Sequence, residues 1–328
     1  MKNIYTILDL QKKVDKLYEV GIVKGEDVGF KCLRNLYTIK LGSTTYIMGS
    51  PYSGKTELWF EFLINLSEKK GWKHVIFTPE TGSREEIVAE LCSKYLMKPF
   101  YNYEDRMTEE EKYRAMTWLN EHFYIFDPDE SITPTQFYDE IDALENTLGI
   151  KIHTTTLDPY NELKNDLNGV GGRQDLYIEE LLGMVRRNAR INNRHNCIIT
   201  HAANQQSKEE NGVTYYPPPT ARDYAGGQAW FRKGMGMIAI WRPTFGLNDS
   251  NGVPYTDNET HVIIQKVKPK GTGMRGTAKL YFDIKKNRFY EISLTGQYLY
   301  ANQKSEINSE VKIEQNINFL KEKENEPF

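Results

Sequence analysis

Two kinds of apolar spacing alternate along most of the chain. Residues 44–48, TTYIM, form a short β-branched and apolar run suited to a buried strand. Just after Thr56, the residues Leu58, Trp59, Phe62, Leu63 and Leu66 recur three and four apart, the stripe of an amphipathic helix. The same exchange of periods predicts strands over 74–78, 123–126, 150–157 and 197–200. Between them it predicts helices within 83–121, broken by a charged connection around 104–112, and over 134–148 and 177–192. Strand and helix in turn argue for an α/β fold, a mostly parallel central sheet flanked by helices. After residue 235 the pattern changes. Strands over 235–241, 261–268 and 277–283 follow one another, which predicts antiparallel strands at the C-terminal edge.

Three segments fall outside this rhythm. Residues 1–20 carry Ile4, Ile7, Leu8, Val14 and Leu17 as a partial apolar stripe, with Gly21 as a stop. They read as a helix, packed on its own domain or acting as a linker docked on a neighbouring subunit. Residues 161–175 and 203–228 are long polar loops, and such loops inside a compact domain are usually functional. From 301 the chain is charged, ending KEKENEPF, and reads as a tail without chemistry of its own. The domain plan is a linker helix over 1–24, one α/β domain over 25–300, and the tail over 301–328.

Within this frame residues 49–56 stand out. They read GSPYSGKT and fit G-x-x-x-x-G-K-[ST] at every fixed position, between a strand and a helix. Gly49 and Gly54 allow a tight loop, and Ser50, Pro51, Tyr52 and Ser53 fill it, so that backbone N–H groups converge on a phosphate. The following helix turns its positive end to the same anion. Lys55 would reach the outer phosphates of ATP, and the Thr56 hydroxyl would ligate Mg²⁺.

Composition bounds the rest. A chain of 328 residues can bury a large core, and its net charge of −3 does not suit a wholly basic nucleic-acid binder. Cys32, Cys92 and Cys197 are far apart and form no CxxC pair, which fits a reducing compartment. No signal-peptide core precedes the first helix, and no run approaches the length of a membrane span. The expectation is a cytoplasmic protein with no membrane partner.

Other candidates sit where strands end, the place at which open α/β sheets hold ligands. Glu80 follows the strand over 74–78 and is either a base for an attacking water or an acid at a helix start. Asp158 ends the strand over 150–157, where a second Mg²⁺ carboxylate belongs, or else forms an Asp-Pro turn. His201 ends the next strand, in position to touch a γ-phosphate; His74, His122, His153, His195 and His261 read as structural. The segment 266–288 holds Lys266, Lys268, Lys270, Arg275, Lys279, Lys285, Lys286 and Arg288 against one acid, Asp283. This basic patch could meet DNA phosphates or a neighbour's nucleotide, or be a lysine-protected hairpin edge.

Taken together, STTYIMGSPYSGKT, VIFTPET, TLDPYNEL, IITHAANQ and PTARDYAGGQAWFRKGMGMIAIWRP resemble the RecA-like motor domain of hexameric replicative DNA helicases of the DnaB and Twinkle type, in the form carried by bacteriophages. The resemblance covers about residues 25–295 and implies a RecA-like P-loop NTPase that uses ATP and Mg²⁺. It places the catalytic glutamate at Glu80, the metal aspartate at Asp158 and the γ-phosphate sensor at His201, with Gly226, Gly227 and Trp230 fitting a further segment. It implies a homo-oligomeric ring around single-stranded DNA, the two long loops lining the channel with Lys164, Asn168, Arg173 and Lys208 on the DNA backbone. A primase or loader would be a separate protein, and the compartment a host cytoplasm. The family presents a lysine and an arginine, two apart, to the neighbouring nucleotide. Here the strand reads QKVKPKGTGMRGT, so either Lys268 or Arg275 takes the arginine's task. Two other readings remain at this point: a RecA-fold recombinase or mediator, and a nucleotide-binding structural or accessory replication protein.

Overall fold

The computed structural model describes residues 4–302 except 166, 204, 211 and 225–227, and the side chain of residue 168 is also outside the description. Gly226, Gly227 and the tail from 303 onward therefore lie outside the described residues. The chain opens with helix α1 (Gln11–Val20), then a small ribbon of β1 (Glu26–Asp27) and β2 (Thr38–Ile39). Next come β3 (Ser43–Gly49), α2 (Lys55–Lys70), β4 (His74–Phe77), α3 (Arg84–Leu96), α4 (Glu109–His122), β5 (Phe123–Ile125), α5 (Pro134–Leu148), β6 (Thr154–Leu157), α6 (Gln174–Ile191) and β7 (His195–His201). A hairpin of β8 (Lys208–Glu210) and β9 (Val213–Tyr215) and a short α7 (Gln228–Lys233) lead into β10 (Gly236–Trp241), β11 (Glu259–Val267), β12 (Gly276–Asp283), β13 (Arg288–Ile292) and β14 (Tyr298–Tyr300).

Ten strands form one sheet in the order β14-β13-β12-β11-β10-β3-β7-β6-β4-β5. From β10 to β5 the neighbours are parallel; from β10 outward to β14 they are antiparallel. The parallel half is covered on both faces, and its side chains alternate between two cores as the strand period requires. Ile47, Ile76, Cys197, Ile199, Ile238 and Ile240 enter the core under α2, α3 and α4. Tyr46, Met48, Val75, Phe77, Ile198 and Met237 enter the core under α5, α6 and α7.

The helices start where side chains can satisfy their free N–H groups. Ser83 with Glu86, Thr108 with Glu111 and Thr133 with Gln136 form capping boxes on α3, α4 and α5. The polar middle of β6 is explained by partners. Thr154 Oγ1 pairs with His74 Nδ1 (2.7 Å), Thr155 Oγ1 donates to Asn196 Oδ1 (2.9 Å), and Thr156 Oγ1 accepts from Trp59 Nε1 (2.8 Å). Each of these buried hydroxyls has a partner, so the strand can sit at the sheet centre without a desolvation penalty.

Four expectations change. The strand expected over 150–157 begins only at Thr154, because His153 accepts a hydrogen bond from the Lys73 amide and stacks on Trp72. The loop expected over 203–228 contains the β8–β9 hairpin. Arg288 does not belong to the surface basic patch, since its side chain is 3% exposed and bound to Glu61 at 2.5 Å. The reading of residues 1–20 as a helix packed on its own domain also fails. No residue of α1 is buried, and Ile4, Leu8, Val14, Leu17 and Tyr18 are all exposed.

Candidate active site

Parallel register builds the site. Gly49 pairs with His201, Leu157 with Ile198 and Phe77 with Leu157, so β3, β7, β6 and β4 end along one edge. The segments after those four strands carry the phosphate loop, His201, Asp158 and Glu80. The Asp158 amide extends the pairing by donating to the Phe77 carbonyl at 2.9 Å.

Glycine is required at two points of the loop. A Cβ on Gly49 would stand 2.4 Å from Ser53 Oγ and 2.5 Å from the Ile240 carbonyl oxygen. Gly54 has φ +83°, a left-handed backbone at the start of α2. Lys55 Nζ folds back onto the Ser50 carbonyl oxygen at 3.0 Å and lies 3.5 Å from His201 Nδ1. Thr56 Oγ1 donates to Asp158 Oδ2 at 2.5 Å. His201 Nε2 in turn lies 3.2 Å from Glu80 Oε2. Lys55, Thr56, Asp158, His201 and Glu80 thus form one cluster. Ser50 is half-buried, Pro51 and Tyr52 are exposed, and Ser53 is buried.

Burial sets the electrostatics. It pushes the Asp158 carboxyl up to about 6, against the opposing pull of the Thr56 hydroxyl and of Lys55. It pushes the Lys55 ammonium down, while Asp158 and Glu80 pull it back. The Ser53 hydroxyl is buried without a hydrogen-bond partner inside the loop. A buried unpaired hydroxyl, a lysine whose head meets a backbone carbonyl and a histidine, and a hydroxyl–carboxylate pair fit a phosphate chain with a divalent cation. Thr56 and Asp158 are the residues that would hold Mg²⁺. Glu80 does not serve the helix start, a place filled by Glu85 and Glu86 in the first turn of α3.

The remaining candidates lie elsewhere. Lys268 and Arg275 line a groove on the antiparallel half together with Phe231, Gln265 and Lys266. Lys266 Nζ is already engaged, donating to the Phe231 carbonyl and lying 4.6 Å from the centre of its ring. Lys164 and Lys208 are exposed, the latter on β8. Arg173 is exposed and paired with Asp175 at 2.6 Å. Asn168 lies in a single 3₁₀ turn, Asn168–Val170. Gln205 is absent from the sequence reading: it accepts from Ser50 Oγ at 2.7 Å across 155 residues of sequence, and no local pattern marks such a contact.

No family model matches the chain. It is 26% identical over 287 residues to the Twinkle homolog protein, chloroplastic/mitochondrial, of Arabidopsis thaliana, a match that covers 85% of this chain and 38% of that protein. The chain therefore spans less than two fifths of that relative's length. Among solved structures, an ATPase domain superposes with a TM-score of 0.69 at 15% identity, covering 89% of this chain and all of that one. A DnaB-like replicative helicase, solved in a study of its interactions with primase, superposes with a TM-score of 0.66 at 16% identity, covering 88% of this chain and 67% of that one. With the strand order and these superpositions together, the fold is that of the ATPase domain found in the DnaB-like replicative helicase.

Proposed function

We propose that the protein is an ATP-dependent replicative DNA helicase motor that moves along single-stranded DNA as a ring. The observation that carries this reading is the convergence of Lys55, Thr56, Asp158, His201 and Glu80 at the ends of four adjacent parallel strands. When bound, ATP with Mg²⁺ supplies a transferable phosphoryl group and a cation that neutralises its charge. The loop amides and Lys55 hold the phosphates; Thr56 and Asp158 hold the cation. Glu80, half-exposed at the mouth, orients a water and takes its proton. His201 bridges Lys55 and Glu80, so loss of the terminal phosphate changes its partners and is felt by the residues that follow β7.

Those residues include the β8–β9 hairpin, which with the loop over 161–175 offers Lys164, Arg173 and Lys208 to a phosphate backbone. Arg173 would exchange Asp175 for DNA. One of the groove cations, Lys268 or Arg275, acts on the nucleotide of the next subunit. Helix α1 is a linker whose bare apolar face docks on a neighbour, which gives the ring continuity.

The test is strand displacement from a forked DNA duplex with Mg-ATP, comparing wild type with Lys55→Ala. Unwinding by the wild type alone is the expected result. DNA-stimulated hydrolysis without unwinding would instead favour a recombinase-like ATPase, and ATP binding with negligible turnover would favour an accessory protein.

A further inference from the structure

Residues 216–219 read Tyr-Pro-Pro-Pro and follow directly on β9. The three consecutive prolines have fixed φ and no N–H, so residues 217–219 are stiff and their backbone offers only carbonyl acceptors. Three side chains from separate parts of the fold donate to those carbonyls. Trp241 Nε1, at the end of β10, donates to Tyr216 O at 2.8 Å. Gln205 Nε2, just past β7, donates to Pro217 O. Gln265 Nε2, on β11, donates to Pro219 O at 2.6 Å.

Gln205 makes a second hydrogen bond. Its Oε1 accepts from Ser50 Oγ at 2.7 Å, and Ser50 belongs to the phosphate loop. Ser50 also presents its carbonyl oxygen to Lys55 Nζ. A continuous path of polar contacts therefore runs from Lys55 through Ser50 and Gln205 to the proline segment. One end of that segment joins the β8–β9 hairpin. At the other, Pro218 and Pro219 line the same groove as Lys266, Lys268 and Arg275. A flexible loop would absorb a displacement of Ser50; three prolines pinned at both ends pass it on.

We propose that Gln205 is a positioning residue that couples the phosphate loop to the β8–β9 hairpin and to the cation-lined groove through the proline segment. The proposal rests on the phosphate loop taking a nucleotide, as argued above, and makes a separate demand. Gln205 touches no reacting atom. Its amide is suited to the task because it accepts at one end and donates at the other. A glutamate of nearly the same shape keeps the acceptor toward Ser50 and loses the donor toward Pro217.

The experiment is hydrogen–deuterium exchange of the full chain with and without Mg²⁺ and a non-hydrolysable ATP analogue, in wild type, Gln205→Ala and Gln205→Glu. Nucleotide affinity, thermal midpoint and ATP turnover with and without single-stranded DNA are measured alongside. In wild type, nucleotide should change exchange of the hairpin amides over 208–215 at least about twofold. Both variants should bind nucleotide within about threefold of wild type, keep the thermal midpoint, and lose the hairpin response. DNA stimulation of turnover should fall about tenfold in both. A purely structural role would move the midpoint and leave the response of the folded fraction intact. Variants that retain the hairpin response overturn the proposal, as does a wild type whose hairpin ignores bound nucleotide. A hairpin response lost in the variants, in a protein whose wild type gains nothing from DNA, upholds the coupling and overturns the helicase reading instead.

Discussion

The two halves of the sheet hold their charges differently. At the ends of β3, β7, β6 and β4, the polar groups of the site face one another within the same chain: Lys55 faces His201, Thr56 faces Asp158, and Glu80 faces His201. On the antiparallel half, Lys268 and Arg275 stand in an open groove, while the neighbouring Lys266 is held by Phe231. The parallel half thus gathers its proposed phosphate site within one chain, and the antiparallel half offers cations whose proposed target lies outside the chain. Variants in the first half should damage every subunit that carries them. Variants in the second should damage only the subunit next door.

The largest effect is expected from Lys55→Ala. It removes the loop's only side-chain cation and should lower kcat/KM for ATP at least about 100-fold, read by phosphate release. Substitutions across the sheet sharpen the comparison. Lys268→Ala or Arg275→Ala should cut turnover about tenfold or more while leaving nucleotide binding within a few-fold. Mixing such a variant with Lys55→Ala chains should restore part of the activity, because some interfaces then pair an intact loop with an intact cation. Mixing Lys55→Ala with Glu80→Gln chains should restore none. Equal rescue in both mixtures would erase the distinction between the halves.

How far the sequence is legible follows the same division. The phosphate loop and the strand-end residues Glu80, Asp158 and His201 can be located because parallel sheets place chemistry at carboxyl ends and the loop has fixed glycines. Side-chain pairs between distant segments leave no such trace. Glu61 and Arg288 are 227 residues apart, with no pattern in the sequence to join them, yet they bind each other inside the core. Lys94, on α3, is fully buried between Glu57 and Glu90. The β8–β9 hairpin escapes a sequence reading because KEE and VTY are too short and too polar to show alternation.

The buried pair gives the next prediction. Glu61→Ala should destabilise the fold by about 3–5 kcal/mol, since it strands the Arg288 guanidinium in the core. Chemical denaturation would measure it, and a loss below about 1 kcal/mol would mean that the pair is solvated. A smaller effect is expected with pH. Burial pushes the His195 imidazole down to about 4 and His74 well below its usual value. Both are neutral in the fold, while the unfolded chain takes up protons near the ordinary histidine value of 6.5. Stability from these groups is therefore intact above pH 6.5 and drains as the pH falls toward 4. His195 alone should cost about 3 kcal/mol by the lower end of that window. A flat stability profile across it would contradict the assignment.

Catalysis at the parallel edge is the central claim, and Glu80→Gln tests it most directly. The substitution keeps size and hydrogen bonding but removes the base. Nucleotide affinity and single-turnover hydrolysis should be measured on the same preparation. Affinity should stay within about threefold of wild type, and hydrolysis should slow by about 10²–10⁴-fold. Hydrolysis at the wild-type rate would show that the water is activated elsewhere, and the cluster of Lys55, His201 and Glu80 would lose its meaning as an active site.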